Sequence, residues 1–291
     1  MSSIGFVGPG IMGAPMITNL VAAGHQVLAY GRSEMSCTRI LAAGAQVAGS
    51  PAEVADGADL VITMLPDTPD VEDVLGTGGL AAALMPGQIF VDMSTIRPDT
   101  TRDIHHSLAE RGIMMLDAPV SGGEAAAHEG TLSIMVGGEA SALDEAREVL
   151  ECLGATITHV GPAGAGQLTK AANQLIVAAN IQAVSEAIVL LESAGADLTS
   201  ALAAINGGLA GSTVLTRKRE AFINGSFEPG FRITLHNKDL RIVCSAADGA
   251  GIALPMTALV SQLMVAAVAQ GLGHLDHSAL LTLIRTCNSS H

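Results

Sequence analysis

Large aromatic residues are almost absent from this sequence of 291 residues, which holds no Trp, one Tyr and five Phe. A core without such rings is packed with aliphatic side chains, and 49% of the residues are hydrophobic. This composition is more typical of a sheet covered by helices than of a β-sandwich. The length is sufficient for two modest domains, each with a core of its own.

Positive charge is also scarce, because 14 Lys and Arg face 28 Asp and Glu for a formal net charge of −14. Phosphate backbones and acidic membrane surfaces are bound by clustered Lys and Arg, so we expect neither nucleic acid nor membrane as a partner. The four cysteines form no CxxC pair, and the chain does not open on a basic segment followed by a long apolar one. We therefore expect a reduced, cytoplasmic protein.

A long uninterrupted apolar run is missing as well. The most hydrophobic segment, residues 174–191, is broken by Asn180, Gln182 and Glu186 before it reaches the roughly 20 apolar residues that a bilayer span needs. We therefore expect a buried helix rather than a membrane anchor. The nine His residues show no metal-ligand spacing, so no metal site is expected.

The first half of the chain alternates short β-branched runs with Ala-rich helical stretches. This alternation predicts βαβ units in a parallel sheet, with the carboxyl ends of all strands on one edge, where ligands should gather. The predicted strands are residues 3–7, 26–29, 60–65, 89–92, 114–117, 132–136 and 157–159.

The alternation stops at a cluster of Gly and Pro over residues 161–166, after which only helical periodicity follows. The fold class predicted is α/β: a Rossmann-type parallel-sheet domain over residues 1–162, followed by an all-α domain over residues 163–291. The first helix of the second domain, roughly residues 167–194, is apolar on more than one face. That is typical of a helix that contacts both domains or a partner subunit.

A glycine-rich turn directly follows the first predicted strand and opens a helix. Glycines at these spacings allow a tight turn, let the backbone approach a pyrophosphate and leave room for the helix to lie on the sheet. Because the turn lies within a βαβ pattern, we interpret it as a dinucleotide-binding turn rather than a plain connection. It reads Gly8-Pro9-Gly10-Ile11-Met12-Gly13.

The end of the second strand should hold the residue that contacts the adenosine ribose. No carboxylate is present in Gly31-Arg32-Ser33, but the Arg32 and Ser33 side chains are suited to binding a 2′-phosphate. This favours NADP(H) over NAD(H), although a solvated Arg in a loop gives the same pattern.

Three further loops follow predicted strands. Leu65 and Pro66, in Met64-Leu65-Pro66, are expected to press against the cofactor, and the Thr95 hydroxyl to orient a nicotinamide carboxamide, although each segment alone also fits a capped turn. The run Ser121-Gly122-Gly123 offers successive N–H groups as a nest for a carboxylate, or is simply a flexible loop.

Lys170 and Asn173 lie three positions apart on the long helix, so an ammonium and an amide can converge on one substrate oxygen. Apolar neighbours make Lys170 poorly solvated, which suits proton transfer, although a Lys can also extend to water from such a place. Further on, Lys238 is expected to reach cofactor or substrate, with Asp239 paired to it.

Together these motifs resemble the β-hydroxyacid dehydrogenase family over essentially the whole chain. Residues 6–13 resemble the family's N-terminal signature, with Pro9 where Leu is usual. Residues 117–123 are similar to its substrate loop, residues 164–173 to its catalytic helix, and residues 238–240 to its C-terminal motif.

The resemblance implies hydride transfer between a nicotinamide and a short semialdehyde or hydroxyacid, with Lys170 as the general acid. It implies that residues 121–123 hold the substrate carboxylate, that Asn173 contacts the hydroxyl or carbonyl, and that Lys238 contacts cofactor or substrate. Residues 117–124, 129–138 and 275–280 are most similar to the branch that reduces tartronate semialdehyde to D-glycerate.

Two other interpretations stay open at this point. A 3-hydroxyisobutyrate dehydrogenase or a broader short-chain semialdehyde reductase would use the same nest and the same lysine. The other interpretation is a non-catalytic, cofactor-binding oligomerisation module. The presence of Lys170 argues against it. Gln174 follows Asn173 where several family members have a second Asn, so either amide can make the key contact. The family forms dimers and tetramers through its helical domain, which implies a homodimer or homotetramer here.

Overall fold

The computed structural model describes residues 1–76 and 79–288. These residues form two compact units, one over Met1–Lys170 and a second from Ala171 onward. In the described chain, all strands belong to the first unit, and the second is built from helices. The predicted class, a Rossmann-type sheet domain followed by a helical domain, is confirmed. The last three residues of the predicted helical domain, 289–291, lie outside the described residues.

Nine strands of the described chain form one sheet in the first unit. The strands at residues 3–7, 60–63, 89–92 and 114–117 are buried almost throughout, which is why they read as apolar stretches rather than as alternating ones. The strands are β1 (Ser3–Val7), β2 (Gln26–Tyr30), β3 (Gln46–Val47), β4 (Leu60–Thr63), β5 (Ile89–Asp92), β6 (Met114–Asp117), β7 (Val120–Ser121), β8 (Ser133–Gly138) and β9 (Thr156–Gly161).

Six strands run parallel in the order β3-β2-β1-β4-β5-β6, the order of a doubly wound dinucleotide-binding sheet. Neighbouring residues of one strand point into different cores. Val61 and Phe90 belong to one core, whereas Ile62 and Val91 belong to the core on the opposite face.

The prediction that all carboxyl ends share one edge is wrong for β8 and β9. Strand β8 is antiparallel to β6 and β7, and β9 is parallel to β8, so these two strands end at the opposite edge. The cause is the connection before β8, which holds a single short helix, Gly123–Glu129. A parallel return needs a crossover of a dozen or more residues, usually with a longer helix.

Seven helices cover the sheet of the first unit. They are α1 (Gly13–Ala22), α2 (Glu34–Ala42), α3 (Thr68–Leu75), α4 (Leu80–Ala83), α5 (Pro98–Ala109), α6 (Gly123–Glu129) and α7 (Ala140–Glu151), all within the described residues.

A single long helix, α8 (Ala165–Ser193), begins in the first unit and continues in the second. The second unit adds five more α-helices in its described part, packed around aliphatic side chains such as Leu240 and Met264 and the phenyl ring of Phe222. These helices are α9 (Leu198–Asn206), α10 (Thr213–Asn224), α11 (Ile233–Ala250), α12 (Pro255–Ala269) and α13 (Leu280–Asn288).

The expectation that α8 is buried holds for only part of its surface. Among the described helices, α8 alone is long and apolar enough to cross a membrane by length and composition, and 33% of its most apolar window is buried. Leu168, Ile176 and Leu190 are 54%, 57% and 71% exposed. Core helices of proteins without any membrane segment meet the same criterion, so this is weak evidence for a span.

Candidate active site

The carboxyl ends of five parallel strands form one registered row across the sheet. Tyr30 pairs with Val7, Val7 with Thr63, Thr63 with Asp92, and Asp92 with Asp117. The loops that follow these residues contain most of the site residues predicted from the sequence. The sheet therefore brings their backbones to one edge, as the βαβ pattern predicted for these strands.

The three glycines of the turn after β1 meet different surroundings. Gly8 has φ +104°, and a Cβ there would overlap the Met64 carbonyl oxygen. A Cβ on Gly13 would overlap the Gly8 carbonyl oxygen, so the start of α1 lies directly on the turn. A Cβ on Gly10, in contrast, would meet no atom within 4 Å. Open space at the middle glycine is what a backbone that approaches a ligand requires.

The start of α1 directly follows this open space, so we expect backbone N–H groups of its first residues to face it. The first amides of a helix have no acceptor within it, and they carry the positive end of the helix dipole. Ile11 is 46% exposed and Met12 is partly buried. This arrangement fits the pyrophosphate of a dinucleotide, which needs an anion site without bulky side chains.

The residues after β2 have partners of their own. The Arg32 guanidinium forms an ion pair with Asp70, Nη2 to Oδ1 3.1 Å, with the two side chains 67% and 25% exposed. The Ser33 hydroxyl accepts the backbone N–H of Ser36 at 3.2 Å and so caps α2. Gly31 packs against Pro9, the second residue of the glycine-rich turn. A 2′-phosphate at this place would compete with Asp70 for Arg32.

The loops after β4 and β5 are joined by hydrogen bonds. The Ser94 hydroxyl accepts the Leu65 N–H at 2.9 Å, and the Asp92 carboxylate accepts the Thr63 hydroxyl at 2.8 Å and the Ser94 N–H at 3.1 Å. Asp67 caps α3, so the capped-turn interpretation describes the end of the first loop. Met64, Pro66 and Thr95 remain predicted cofactor contacts, placed at this edge.

The Asp117 carboxylate holds the start of α8. Its two oxygens accept the backbone N–H groups of Gly164 and Gln167, each at 2.8 Å. Asp117 is 1% exposed. The pKa of Asp117 is raised to about 6, mainly by burial and to a smaller extent by the charge of the nearby Asp92. The two N–H bonds act in the opposite direction and lower the pKa.

Gln167 connects the same helix to the loop after β5. Its side-chain amide donates to the Ser94 carbonyl at 2.8 Å, and its side-chain oxygen accepts the Ile96 N–H at 3.1 Å. The helix start lies so close to the sheet that a Cβ on Gly166 would come within 2.5 Å of the carbonyl oxygens of Asp117 and Met135. Part of the glycine cluster that reads as a chain breaker thus permits this close packing.

The loop after β6 contains the predicted carboxylate nest. Gly122 has φ +140° and Gly123 has φ +72°, conformations that L side chains rarely adopt. A Cβ on Gly123 would meet no atom within 4 Å, whereas one on Gly122 would come within 2.5 Å of Ala126. Ser121, at the end of β7, is partly buried. The backbone therefore requires glycine at both positions.

Lys170 follows Gln167 by three positions in α8 and is 7% exposed. An ammonium this poorly solvated is confined by its surroundings rather than extended into water, which removes the interpretation as a surface Lys. The helix is continuous through Asn173, so the predicted spacing of the two residues on α8 is retained.

In the second unit, the two amides that the sequence left as alternatives have different environments. Gln174 is 5% exposed. Its side chain donates to Asp239 Oδ2 at 2.5 Å and accepts from the Asn173 side-chain amide at 2.8 Å. Lys238 Nζ lies 2.9 Å from Asp239 Oδ1, which is the pairing expected from the sequence. Asn173 is only partly buried, so it is the more accessible amide.

A second buried network starts from the same helix, and no local sequence pattern indicates it. His236 Nε2 donates to the Gln174 carbonyl at 3.0 Å, and His236 Nδ1 lies 3.0 Å from His277 Nδ1. Asp276 accepts the Lys218 ammonium at 2.7 Å. Although burial alone would raise the pKa of Asp276, the charges of His277 and Lys218 hold it at about 2.

Sequence reasoning missed two roles of residues that hold others in place: Asp117 as the cap of α8, and Gln167 as the link to the loop after β5. Asp117 and Gln167 are 50 positions apart, so no local pattern indicates their contact. Among the described residues, no group of three or more His, Cys, Asp or Glu is arranged to hold a metal ion.

Two family descriptions match almost the entire chain. Residues 3–161 match the NAD binding domain of 6-phosphogluconate dehydrogenase. Residues 164–284 match the NAD-binding domain of NADP-dependent 3-hydroxyisobutyrate dehydrogenase.

Individual relatives are similar over nearly their full length. The 2-hydroxy-3-oxopropionate reductase of Escherichia coli is 44% identical, over 96% of this chain and 95% of its own. An NAD-dependent L-serine dehydrogenase of Pseudomonas aeruginosa is 38% identical, over 97% and 98% of the two chains. A solved structure of Mycobacterium tuberculosis 3-hydroxyisobutyrate dehydrogenase with L-serine is 36% identical, with a TM-score of 0.90, and covers 98% and 99% of the two chains.

Proposed function

Because this chain belongs to the 3-hydroxyisobutyrate dehydrogenase-like family of β-hydroxyacid dehydrogenases, we propose that it reduces tartronate semialdehyde to D-glycerate. Membership makes it an NAD(P)-dependent β-hydroxyacid dehydrogenase. The observation that supports this substrate is the 44% identity with a 2-hydroxy-3-oxopropionate reductase across 96% of the chain.

The nicotinamide, when bound, supplies the hydride that reduces the aldehyde carbon. As the carbonyl bond gives way, the aldehyde oxygen becomes an alkoxide and takes a proton from the Lys170 ammonium, which regains one from solvent after the reaction. Burial of Lys170 supports this role, since a poorly hydrated ammonium close to the reacting oxygen transfers its proton without first shedding a water shell. In the oxidising direction, the same amine must be neutral.

The remaining roles belong to the same proposal. Ser121 and the backbone N–H groups of Gly122 and Gly123 hold the substrate carboxylate, and the positive φ angles of the two glycines support a nest-like turn at this place. Asn173 hydrogen-bonds the reacting oxygen, and the accessible position of its amide supports this over Gln174. Lys238, fixed by Asp239, contacts cofactor or substrate.

The cofactor turn of the proposal comprises Gly8, Gly10 and Gly13, with Ile11 and Met12 beside it. For the adenosine end, we propose NADP(H) on the basis of Arg32 and Ser33 and the lack of a carboxylate directly after β2. A reduced, cytoplasmic setting suits four cysteines that are all free thiols.

We also propose that the protein assembles as a homodimer or homotetramer through its helical unit. Ile176, Ala183 and Leu190 are exposed on α8 at intervals of seven residues, so they lie along one face of the helix. Exposed apolar residues in such a stripe are typical of a helix covered by another chain.

A substrate panel tests the proposal. The oxidation of NADH and of NADPH is followed with tartronate, methylmalonate and succinate semialdehydes, and the reduction of NAD⁺ and NADP⁺ with L-serine and 3-hydroxyisobutyrate. We expect kcat/KM to be at least tenfold higher for tartronate semialdehyde than for any other compound. A higher value for another semialdehyde would replace the substrate and keep the mechanism.

Oxidation of L-serine or 3-hydroxyisobutyrate is the second candidate function. It is favoured by the similarity to an L-serine dehydrogenase and to a 3-hydroxyisobutyrate dehydrogenase solved with L-serine. Turnover of these alcohols that exceeds the semialdehyde rates would establish it. Tight NADPH binding without turnover of any compound would instead support a non-catalytic module.

A further inference from the structure

We infer that Asp117 and Gln167 are positioning residues that fix Lys170 against the cofactor loops, and that ionised Asp117 is required for full activity. This inference rests on the proposed role of Lys170 as proton donor. It concerns two residues that the catalytic proposal itself does not use.

The first step of the argument is the path of hydrogen bonds that ends at the helix. Leu65 N–H donates to Ser94 Oγ, and the Ser94 carbonyl accepts from the side chain of Gln167. The backbone N–H of Gln167 then donates to Asp117. The loops after β4, β5 and β6 are thereby connected to one residue of α8.

The second step is the distance along the helix from this connection to the reacting group. Lys170 lies three positions after Gln167, which is less than one helical turn, about 4.5 Å along the axis. A displacement of the first turn of α8 therefore moves the Lys170 backbone directly. Proton transfer depends steeply on such placement, since an error of about 1 Å can lower a rate about 100-fold.

The third step is the absence of an alternative cap in the first turn. That turn contains no acidic side chain, so the negative charge at the positive end of α8 is supplied by Asp117 from the sheet. Gly166 and Gly137 leave the space for this contact, because a Cβ on either would come close to the Asp117 carboxylate. Two glycines and one carboxylate thus form a single packing arrangement.

Protonation changes this arrangement. A protonated carboxyl loses one acceptor oxygen, so one of the N–H groups of Gly164 and Gln167 is weakly bound or unpaired. The ionisable group that faces Asp117 from the neighbouring strand is Asp92, whose charge favours the protonated form. We therefore expect the rate to fall in mild acid, because one of the two bonds that align the first turn of α8 is weakened.

The test uses the aldehyde-reducing direction, in which Lys170 must be protonated and acid does not remove its proton. A fall of kcat toward acidic pH in this direction, an acid limb of the pH profile, therefore cannot come from Lys170. We expect such a limb near pH 6 in the wild-type enzyme. In Asp117→Asn, we expect kcat at pH 7.5 to fall roughly 10- to 100-fold and the limb to disappear, with KM and the NADPH Kd changed less than threefold.

A matched control is available in the second unit. Asp197 caps α9 through the Ser200 N–H at 2.9 Å, as Asp117 caps α8. Asp197→Asn makes the same chemical change at an exposed helix start. We expect it to keep the wild-type kcat and the acid limb. A kcat within twofold of wild type in Asp117→Asn, or an acid limb near pH 6 that persists there, would overturn the inference.

A second variant keeps the test decisive if Asp117→Asn does not fold. Gln167→Glu retains an oxygen to accept the Ile96 N–H but places a carboxylate oxygen against the Ser94 carbonyl. We expect a roughly tenfold lower kcat, an unchanged NADPH Kd and a retained acid limb. An unchanged kcat would count against the inference.

Failure of the proposed function gives a different result from failure of this inference. If the wild-type enzyme reduces no semialdehyde, amide hydrogen exchange of residues 162–175 still measures the positioning. We expect protection factors at Gly164 and Gln167 to be lower in Asp117→Asn than in the wild type at pH 7, and to be unchanged in Asp197→Asn. Equal protection in the wild type and Asp117→Asn would overturn the inference even for an active enzyme.

Discussion

The Asp117 carboxylate accepts the backbone N–H of Gln167, 50 positions further along the chain, at 2.8 Å. This bond joins the end of a central strand to the first turn of the helix that contains Lys170. It places the Lys170 ammonium on a segment anchored to the sheet rather than on a loop. Sites held by regular elements are more accurately positioned than sites on loops.

If Lys170 is the proton donor, Lys170→Ala should lower kcat about 100-fold or more, the usual scale for a general acid, and leave the Kd for NADPH nearly unchanged. Lys170→Arg is the matched variant, because it keeps the positive charge but holds its proton too tightly to donate it. We expect both variants to be impaired in steady-state assays. Near-normal turnover in either one would remove Lys170 from the mechanism.

The turn from Gly8 to Gly13 and the helix containing Lys170 were predictable because their chemistry is encoded locally. Glycine spacing indicates a tight turn, and residue spacing on a helix indicates a shared face. The antiparallel direction of β8 was not predictable, because the two-residue strand β7 was not recognised in the sequence and the short connection from β7 to β8 was therefore not seen. The contact of Asp117 with Gln167 depends on tertiary folding, and neither residue has a distinctive sequence neighbourhood.

The residues after β2 show another limit of prediction from the sequence. Arg32 and Ser33 were predicted from their side-chain chemistry, but the structure adds Asp70 and Ser36, which bind those same side chains. Asp70 lies in the first turn of α3, which follows another strand, so its proximity to Arg32 depends on the strand order.

The ion pair between Arg32 and Asp70 leads to a prediction about cofactor choice. If Arg32 binds a 2′-phosphate, Arg32→Ala should raise KM for NADPH about tenfold or more and leave KM for NADH nearly unchanged. Asp70→Asn should lower KM for NADPH, because it removes the competing carboxylate. Arg39→Ala, an equal loss of charge at an exposed position on α2, is the control. Equal effects of Arg32→Ala on the two cofactors would contradict this assignment.

Burial of Asp117 also predicts how stability depends on pH. Its pKa is raised to about 6 from the ordinary value of 3.8, so between these values the folded chain holds a proton that the unfolded chain has released. Stability from this group therefore rises as pH falls through that window. Asparagine does not titrate. The unfolding free energy of the wild type should therefore increase by about 2 kcal/mol relative to that of Asp117→Asn from pH 7 to pH 4.

Denaturant unfolding at several pH values measures this difference. Asp197→Asn provides the opposite sign, because hydrogen bonds from Ser200 lower the pKa of Asp197. Its difference from the wild type should stay nearly constant from pH 7 to about pH 4 and narrow at lower pH. A constant difference for Asp117→Asn would show that Asp117 ionises normally in the folded protein.

The exposed stripe on α8 predicts the effect of charge on assembly. Sedimentation should give a dimer or larger species for the wild type, and Ile176→Glu or Leu190→Glu should shift it toward the monomer, because a charge cannot be buried without a partner. Leu209→Glu is the control, an exposed leucine outside the helices. A wild-type monomer, or an assembly unaffected by both α8 variants, would exclude this face as the interface.

The open space at Gly10 allows cofactor binding to be separated from folding. Gly10 does not have a positive φ and a Cβ there meets no atom within 4 Å, so Gly10→Ala should fold with nearly unchanged thermal stability. The added methyl group would point where the pyrophosphate has to approach, so the NADPH Kd should rise about tenfold or more, an expected loss of about 1.4 kcal/mol. Gly249→Ala in α11 is the matched control, since a Cβ at that glycine also meets open space. Titration of NADPH fluorescence with both variants makes the comparison: a selective loss in Gly10→Ala supports a dinucleotide at this turn, and equal affinities would place the cofactor elsewhere.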